Sequence, residues 1–227
     1  MNLDENERRK FEQLASSWWD RDGPSRPLHD LNPTRADYIA SRLNPGANVL
    51  DVGCGGGILT EELARRGFNV TGIDANESLI HIANEHQNDL GVQYVAATAE
   101  SLPPEHIGRY DAVTCMELLE HVPDPAALVA TCRCLIKDDG QLFFSTLTRT
   151  PRAYAVAVLG AEYIAGLLPR GTHDYQRFIK PHELAAMIRR ADAEVCDVSG
   201  LAYQPLKRRA VTTRTPDVNY LVHARAA

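Results

Sequence analysis

The stretch Val49–Ile58, Val-Leu-Asp-Val-Gly-Cys-Gly-Gly-Gly-Ile, determines how the rest of this chain is interpreted. An apolar run leads into Asp51, glycines follow at 53, 55, 56 and 57, and a helical pattern then begins. A strand, a glycine-rich turn and a helix in this order bring backbone close to a bound ligand in α/β proteins. The stretch therefore predicts a ligand-binding loop after the first strand.

Strand and helix patterns alternate after this loop, which predicts a Rossmann-like α/β fold with helices on both faces of a parallel sheet. Two later strands, near 194–199 and 218–224, are expected to make it mostly parallel with an antiparallel edge strand. The basic stretch 207–214 between them is interpreted as a loop. The remaining predicted strands are 49–52, 69–73, 92–96, 110–115 and 141–146, and the helices are 58–66, 77–90, 125–136 and 181–190.

The region before the first strand is predicted to be a helical extension. A second helix is expected over 33–43, because Pro33 suits a first helical turn. The first helix, 5–20, carries an apolar face that either packs on the core or covers a pocket. That face consists of Phe11, Leu14, Ala15, Trp18 and Trp19.

Length and composition indicate one domain over 1–227, with a helical cap at 1–44 and an apolar insertion at 150–172. The net charge of −6 argues against nucleic acid as a partner bound through general basicity. The 5 cysteines are an odd number without CxxC spacing, which predicts reduced thiols in a cytoplasmic protein. The charged N-terminal residues do not have the pattern of a signal peptide.

The glycine loop does not match a dinucleotide site, which requires G-x-G-x-x-G. Counting from Gly53 or from Gly55, the third glycine is replaced by Ile58 or Thr60. Asp51 would also repel a pyrophosphate, whereas it suits a ligand that carries an ammonium group. S-adenosylmethionine has that group, a sulfonium cation and no phosphate, so we favour it over a dinucleotide.

Further candidate contacts to this donor follow the next strands. Asp74 ends the second strand, where a carboxylate can bind both ribose hydroxyls. Ala99 and Glu100 follow the third strand and are placed to border the adenine. Met116 follows the fourth strand and can line the sulfur and the adenine.

The segment after the fourth strand carries candidate residues for acceptor chemistry. Glu117, Glu120 and His121 have the spacing that places three side chains on one face of a helix. They either bind Mg²⁺ or Mn²⁺ near the methyl group, or no metal is needed and His121 is a lone base or part of the pocket wall. His121 and Glu120 are the candidate catalytic residues. The residues alone leave these alternatives open.

With these residues in view, the chain resembles the ubiquinone-biosynthesis O-methyltransferases over nearly its whole length. The glycine loop alone would indicate only a class I methyltransferase, whereas the joint set of motifs is far more specific. The motifs are Ser-x-Trp-Trp-Asp within 11–20, Pro27–His29, Asn32-Pro33-x-Arg35, Leu50–Leu59, Thr114–Pro125, Phe143–Leu147, Gly160–Ile164, Gly171–Asp174, Phe178–Pro181 and Asp217–Tyr220.

The resemblance implies a class I methyltransferase fold and methyl transfer from S-adenosylmethionine to ring hydroxyls of polyprenylated intermediates, 2-polyprenyl-6-hydroxyphenol and 3-demethylubiquinol. It implies cofactor contacts at Arg35, Gly53, Asp74 and Met116, with Arg35 on the methionine carboxylate. It also implies Mg²⁺ on Glu117, Glu120 and His121. The alternatives are methylation of another small phenol or amine, and a non-enzymatic scaffold within a ubiquinone-biosynthesis complex.

A polyprenylated acceptor requires access to a bilayer, and the apolar insertion is the candidate for that contact. Its apolar side chains lie between Arg149, Arg152 and Arg170, which predicts an interfacial helix or lid on the inner face of the cytoplasmic membrane. An ordinary core helix is the alternative. The apolar residues are Tyr154, Val158, Leu159, Tyr163, Ile164, Leu167 and Leu168.

Overall fold

The computed structural model describes residues 2–154 and 175–227, in which an 8-stranded sheet has the order β3-β2-β1-β4-β5-β8-β6-β7. The strands are β1 Asn48–Val52, β2 Asn69–Asp74, β3 Gln93–Ala96, β4 Tyr110–Met116, β5 Ile136–Leu147, β6 Ala193–Gln204, β7 Arg209–Thr213 and β8 Asn219–Ala226. The helices are α1 Glu5–Glu12, α2 Arg26–Ala40, α3 Ile58–Arg65, α4 Glu77–His86, α5 Pro125–Leu135, α6 Pro151–Ala153 and α7 Pro181–Arg190.

The strand order creates a ligand crevice beside β1. From β1 the chain builds β2 and β3 on one side, then returns to place β4 and β5 on the other, all in parallel register. Ligands of such sheets bind outside the carboxyl ends of the strands where the order reverses. The Rossmann-like α/β class predicted from the sequence is confirmed, and the glycine loop leaves β1 at this point.

Alternate residues of the strands divide the core into two layers. Leu50 and Phe144 pack with α5 and α7 on one face of the sheet. Val49 and Phe143 pack with α2 and α3 on the other face. The sheet is therefore covered by helices on both sides, which holds its carboxyl edge rigid.

The antiparallel end is larger than the predicted single edge strand. β8 pairs antiparallel with both β5 and β6, and β7 pairs antiparallel with β6. The interpretation of 207–214 as a loop was wrong, because Arg209–Thr213 forms β7 after a left-handed turn at Arg208. Its Val-Thr-Thr sequence favours a strand, and its exposed side chains explain the polar pattern.

The N-terminal extension also departs from the predicted helices. α1 ends at Glu12, and a short 3₁₀ turn at Ala15–Ser17 separates it from the tryptophans. α2 begins at Arg26, because Pro27 takes the first-turn position expected of Pro33. Pro33 lies inside α2, where it removes one backbone hydrogen bond.

Most of the predicted apolar insertion, including the motifs at 160–164 and 171–174, lies outside the described residues. The predicted membrane contact of that segment therefore stays a prediction. Among the described helices, none is long and apolar enough to cross a membrane. All 5 cysteines lie in the described part of the chain, and each is a free thiol.

Candidate active site

A cavity of about 680 Å³ opens at the carboxyl ends of β1, β2 and β4, a size typical of small-molecule sites. Its wall combines the glycine loop, these strand ends and side chains from α1 and α2. Every predicted cofactor contact lines it: Arg35, Asp51, Gly53, Gly55, Asp74, Ala99, Glu100 and Met116. The fold thus brings together in one wall residues that the sequence places on separate elements.

The glycine loop is covered by the N-terminal tryptophans. A Cβ at Gly55 would lie 2.4 Å from the Trp18 ring, and the loop has a left-handed backbone there, with φ of 54°. Trp19 Nε1 donates a hydrogen bond of 3.0 Å to the carbonyl oxygen of Gly56. Trp18 packs on Ile58 and also lines the cavity. The apolar face of the extension therefore both packs on the core and covers the pocket.

Asp74 is held in place by two backbone N–H groups. Gly55 N donates to Oδ2 at 3.0 Å, and Asn76 N donates to Oδ1 at 2.8 Å. Burial raises the pKa of this carboxyl. A carboxylate offers about four lone-pair sites, so capacity remains for hydroxyl groups of a ligand in the cavity.

Asp51 lies beneath the loop and is held by two threonines. Thr60 Oγ1 donates to it at 2.6 Å and Thr114 Oγ1 at 2.7 Å. Burial raises its pKa to about 6, although these hydroxyl groups favour the charged form. The carboxyl is thus mostly ionised at neutral pH, and it places negative charge next to the cavity.

Arg35 brings an unsatisfied guanidinium from α2 to the cavity. The residue is 5% exposed, and Nη2 lies 2.9 Å from Glu117 Oε1. Neither Nε nor Nη2 makes a hydrogen bond of good geometry within the described residues. Buried N–H groups without a partner are costly, and a ligand carboxylate would satisfy them. This donor set fits the methionine carboxylate of S-adenosylmethionine.

The three residues predicted to border the adenine all line the cavity. Ala99 is buried in a 3₁₀ turn after β3, and Met116 is buried at the end of β4. Glu100 is exposed and accepts a hydrogen bond of 3.2 Å from Asn2 Nδ2. The N-terminal residues therefore reach this side of the cavity as well.

The predicted arrangement of the acceptor segment was wrong, because 117–121 does not form an α-helix. Glu117 has a left-handed φ of 54°, and only a 3₁₀ turn follows at Leu119–His121. Glu117 and His121 line the cavity, whereas Glu120 is 4% exposed and is not part of its wall. The three side chains therefore do not share the one helical face from which a metal site was inferred.

Each of these side chains is engaged elsewhere. Glu117 pairs with Arg35, Glu120 accepts 2.8 Å from Thr146 Oγ1, and His121 bonds to α1. No group of three or more histidine, cysteine, aspartate or glutamate side chains within residues 2–154 and 175–227 could hold a metal ion. The predicted Mg²⁺ ligands do not fit a magnesium site as they stand.

His121 instead forms a pair with Glu7, which sequence reasoning missed. His121 Nδ1 lies 2.7 Å from Glu7 Oε2, and the Phe11 ring meets the imidazole edge-on at 5.0 Å. Burial opposes the charge on Glu7, yet the His121 and Lys10 hydrogen bonds lower its pKa to about 2. Burial also opposes the charge on His121 and lowers its pKa. The effect of Glu7 and the nearby carboxylates is larger, so the pKa of His121 is raised overall.

Glu120 is buried outside the cavity wall, and its carboxyl affects the charge of His121. Burial and the neighbouring charge of Glu117 raise its pKa to about 7. Its Oε1 has no hydrogen-bond partner within the described part of the chain. A negative charge on this carboxyl favours a protonated His121.

Comparison with known proteins assigns this arrangement to a protein family. Residues 26–198 match the family model described as a methyltransferase domain. A protein of Xanthomonas axonopodis pv. citri named ubiquinone biosynthesis O-methyltransferase is 54% identical over 98% of this chain and 95% of its own. A protein of the same name from Xanthomonas oryzae pv. oryzae is 53% identical over the same shares.

Solved structures with low sequence identity share the fold. A possible histamine N-methyltransferase from Thermotoga maritima has a TM-score of 0.71 and 16% identity, covering 96% of this chain and 99% of its own. Magnesium protoporphyrin IX methyltransferase from Synechocystis PCC 6803, with bound SAH, has a TM-score of 0.62 and 21% identity, covering 85% and 82%. These likenesses support the fold class.

Proposed function

Because the chain belongs to the ubiquinone biosynthesis O-methyltransferase family, we propose that it methylates ring hydroxyls of polyprenylated catechol and hydroquinone intermediates with S-adenosylmethionine. The observation that carries the proposal is identity of 54% over 98% of the chain. The cavity supports it, since a buried guanidinium, two fixed carboxylates and a histidine all line it.

The donor side holds the cofactor by charge complementarity. Bound S-adenosylmethionine supplies a methyl group activated by its sulfonium sulfur. Arg35 binds its carboxylate, Asp51 places negative charge near its ammonium group, and Asp74 accepts hydrogen bonds from its ribose. Gly53 and Gly55 allow the backbone to approach, and Ala99, Glu100 and Met116 border the adenine.

The acceptor side supplies a base. Removing the proton of a phenol, whose pKa is about 10, costs on the order of 4 kcal/mol at neutral pH. His121 accepts this proton on Nε2, while Nδ1 is held by Glu7 in one tautomer and orientation. Glu120 acts through His121, because its charge stabilises the imidazolium that forms.

The protein meets its acceptor at a membrane surface, because a polyprenyl tail partitions into the bilayer. We propose a peripheral association on the cytoplasmic side, and assembly with other ubiquinone-biosynthesis enzymes would pass the tailed intermediates between sites. Co-sedimentation with anionic vesicles tests the first part, and deletion of 152–168 is expected to reduce the bound fraction.

The function itself is tested by a methylation assay with a short-tailed 3-demethylubiquinol. Labelled methyl groups are expected to appear on the ring oxygen, and His121→Asn is expected to lower kcat at least 100-fold with little change in affinity for S-adenosylhomocysteine. Faster methylation of an unprenylated phenol or of an amine would favour the alternative acceptor class. Absence of turnover on every acceptor would favour a scaffold.

A further inference from the structure

We propose that Asn219 determines acceptor specificity by accepting a hydrogen bond from the ring hydroxyl next to the one that is methylated. The inference rests on the proposed function. Asn219 is neither one of the proposed cofactor contacts nor the proposed base. The Asp-Val-Asn-Tyr motif that contains it was noted only as part of the family resemblance.

Asn219 lies at the edge of the sheet that borders the cavity. It is the first residue of β8, and its register partners are Leu147 on β5 and Leu201 on β6. The residue is 8% exposed, and it lines the cavity together with both of these leucines. A polar side chain is thus buried in the wall next to two leucines.

The orientation of its amide follows from its neighbour. Asn219 Nδ2 lies 3.0 Å from each carboxylate oxygen of Glu117. That carboxylate also accepts 2.7 Å from Ser145 Oγ and faces Arg35, so it is an acceptor surrounded by donors. A carboxylate in this setting requires the amide nitrogen rather than the amide oxygen on its side.

This orientation leaves Asn219 Oδ1 without a partner. The atom is buried and has no hydrogen bond within the described residues. Leaving a buried acceptor unsatisfied costs about 1–3 kcal/mol, which a donor group on a ligand would recover. The site therefore selects a ligand that presents an O–H or N–H group at this point of the wall.

The position of Asn219 in the sheet favours the acceptor as that ligand. Asp74 ends β2, and β1, β4 and β5 separate it from β8. With strands about 4.8 Å apart, the two residues are roughly 19 Å from each other along the sheet. Asn219 is therefore far from the ribose site and beyond Glu117, on the side where apolar residues line the cavity.

A catechol-type acceptor matches this arrangement. One hydroxyl group gives its proton to His121, and the neighbouring hydroxyl group is a donor that needs a buried acceptor. A ring without that second hydroxyl would bury Oδ1 unsatisfied, and sites built to bind a hydroxyl discriminate strongly against such analogues. Asn219 thus distinguishes a dihydroxy ring from a simple phenol.

The test compares kcat/KM for a short-tailed catechol and for the same ring without the neighbouring hydroxyl. Wild type is expected to prefer the catechol at least 10-fold. Asn219→Ala is expected to lose about 10- to 100-fold on the catechol and less than about 3-fold on the single-hydroxyl ring. Binding of S-adenosylhomocysteine, measured by calorimetry, is expected to stay within about 3-fold.

Ser145→Ala is the matched control. It removes a hydrogen bond to the same Glu117 carboxylate, but Ser145 is not part of the cavity wall. A role of Asn219 through Glu117 alone would make both variants lose activity equally on both acceptors, and that result would overturn the inference.

Two further outcomes also overturn the inference. Loss of S-adenosylhomocysteine binding with unchanged acceptor preference would assign Oδ1 to the donor ammonium group. Equal kcat/KM of wild type for the catechol and for the single-hydroxyl ring would also overturn the inference. This comparison does not depend on the folding of a variant. Failure of the proposed function is seen separately, as no turnover of either ring by wild type, and the inference fails with it.

Discussion

Arg35 contributes buried guanidinium donors whose only described ionic partner is Glu117. We expect Arg35→Lys to weaken S-adenosylhomocysteine binding at least 10-fold, because an ammonium group cannot bind a carboxylate through two parallel N–H groups. Isothermal titration calorimetry measures this. Arg42→Lys is the control, since Arg42 lies after the same helix but stacks on Tyr38 and pairs with Asp197. Equal losses in both variants would contradict the role of Arg35.

Glu7 sets the proton affinity of His121. His121 accepts a proton only when neutral, so kcat rises as the pH increases through its pKa, which lies above 6.5 in wild type. Glu7→Gln removes the hydrogen-bonding carboxylate that raises this pKa. The midpoint of the rise is therefore expected at lower pH, with a maximal kcat about 10-fold lower because the ring is less well oriented.

A charge on the same helix provides the control for this pH effect. Glu12→Gln removes an exposed carboxylate of α1 that pairs with Arg8 and does not line the cavity. Its pH profile of kcat is expected to match that of wild type. An unchanged midpoint in Glu7→Gln would show that another group accepts the proton.

At the residue scale, the positions that could be predicted lie at the carboxyl ends of strands. Asp51, Asp74 and Met116 reach one cavity because parallel strands end at one edge, which the alternation of patterns predicts. Glu7 and Asn219 could not be found this way, since each reaches the site through a contact between distant parts of the chain. The spacing of Glu117, Glu120 and His121 was misleading because a left-handed residue breaks the helix.

At the element scale, the Rossmann-like fold and the family were predicted from the sequence and are confirmed. The predicted boundaries of α3, β2 and α7 agree closely with the observed ones, because glycine, asparagine or proline marks the starts or ends of these elements. The missed β7 is an edge strand with mostly polar side chains, so its pattern resembles a loop. The early end of α1 depends on how the tryptophans pack on the glycine loop, which is a tertiary contact.

The contact between this loop and the tryptophans predicts an unequal effect of two glycine substitutions. Gly55 and Gly67 both have positive φ, but a Cβ at Gly67 meets nothing within 4 Å. Gly67→Ala is expected to lower the free energy of unfolding by about 1 kcal/mol, through backbone strain alone. Gly55→Ala is expected to lower it by about 2–3 kcal/mol, because the new methyl group also displaces Trp18.

Urea unfolding measures the two free energies, and calorimetry measures cofactor binding. Only Gly55→Ala is expected to weaken S-adenosylhomocysteine binding, by at least 10-fold, because Gly67 does not line the cavity. Equal stability losses in the two variants would show that Trp18 is not packed on the loop as described.

At the scale of the whole molecule, the N-terminal segment connects otherwise separate parts of the site. Asp4 pairs with Arg177, Asn2 bonds to the residue before α5, Glu7 bonds to His121, and Trp19 bonds to the glycine loop. α1 itself buries no residue fully, and its described contacts also include a hydrogen bond from Asn76 Nδ2 to the carbonyl oxygen of Arg8 and packing of Phe11 on the cluster that contains Trp18. Docking of α1 thus positions His121, the proposed base, and completes the wall of the cavity.

This coupling predicts that cofactor binding protects α1 from proteolysis. A ligand that binds only the docked state stabilises it by RT ln(1 + [L]/Kd), so saturation at 100 Kd should slow opening-dependent cleavage about 100-fold. Trypsin cleavage at Arg8, Arg9 and Lys10, followed by mass spectrometry with and without S-adenosylhomocysteine, measures this. Cleavage at Arg189 and Arg190, at the exposed end of α7, is the internal reference and should not change. Equal rates at α1 with and without ligand would mean that α1 docks independently of the cofactor, and that the base is assembled before the cofactor binds.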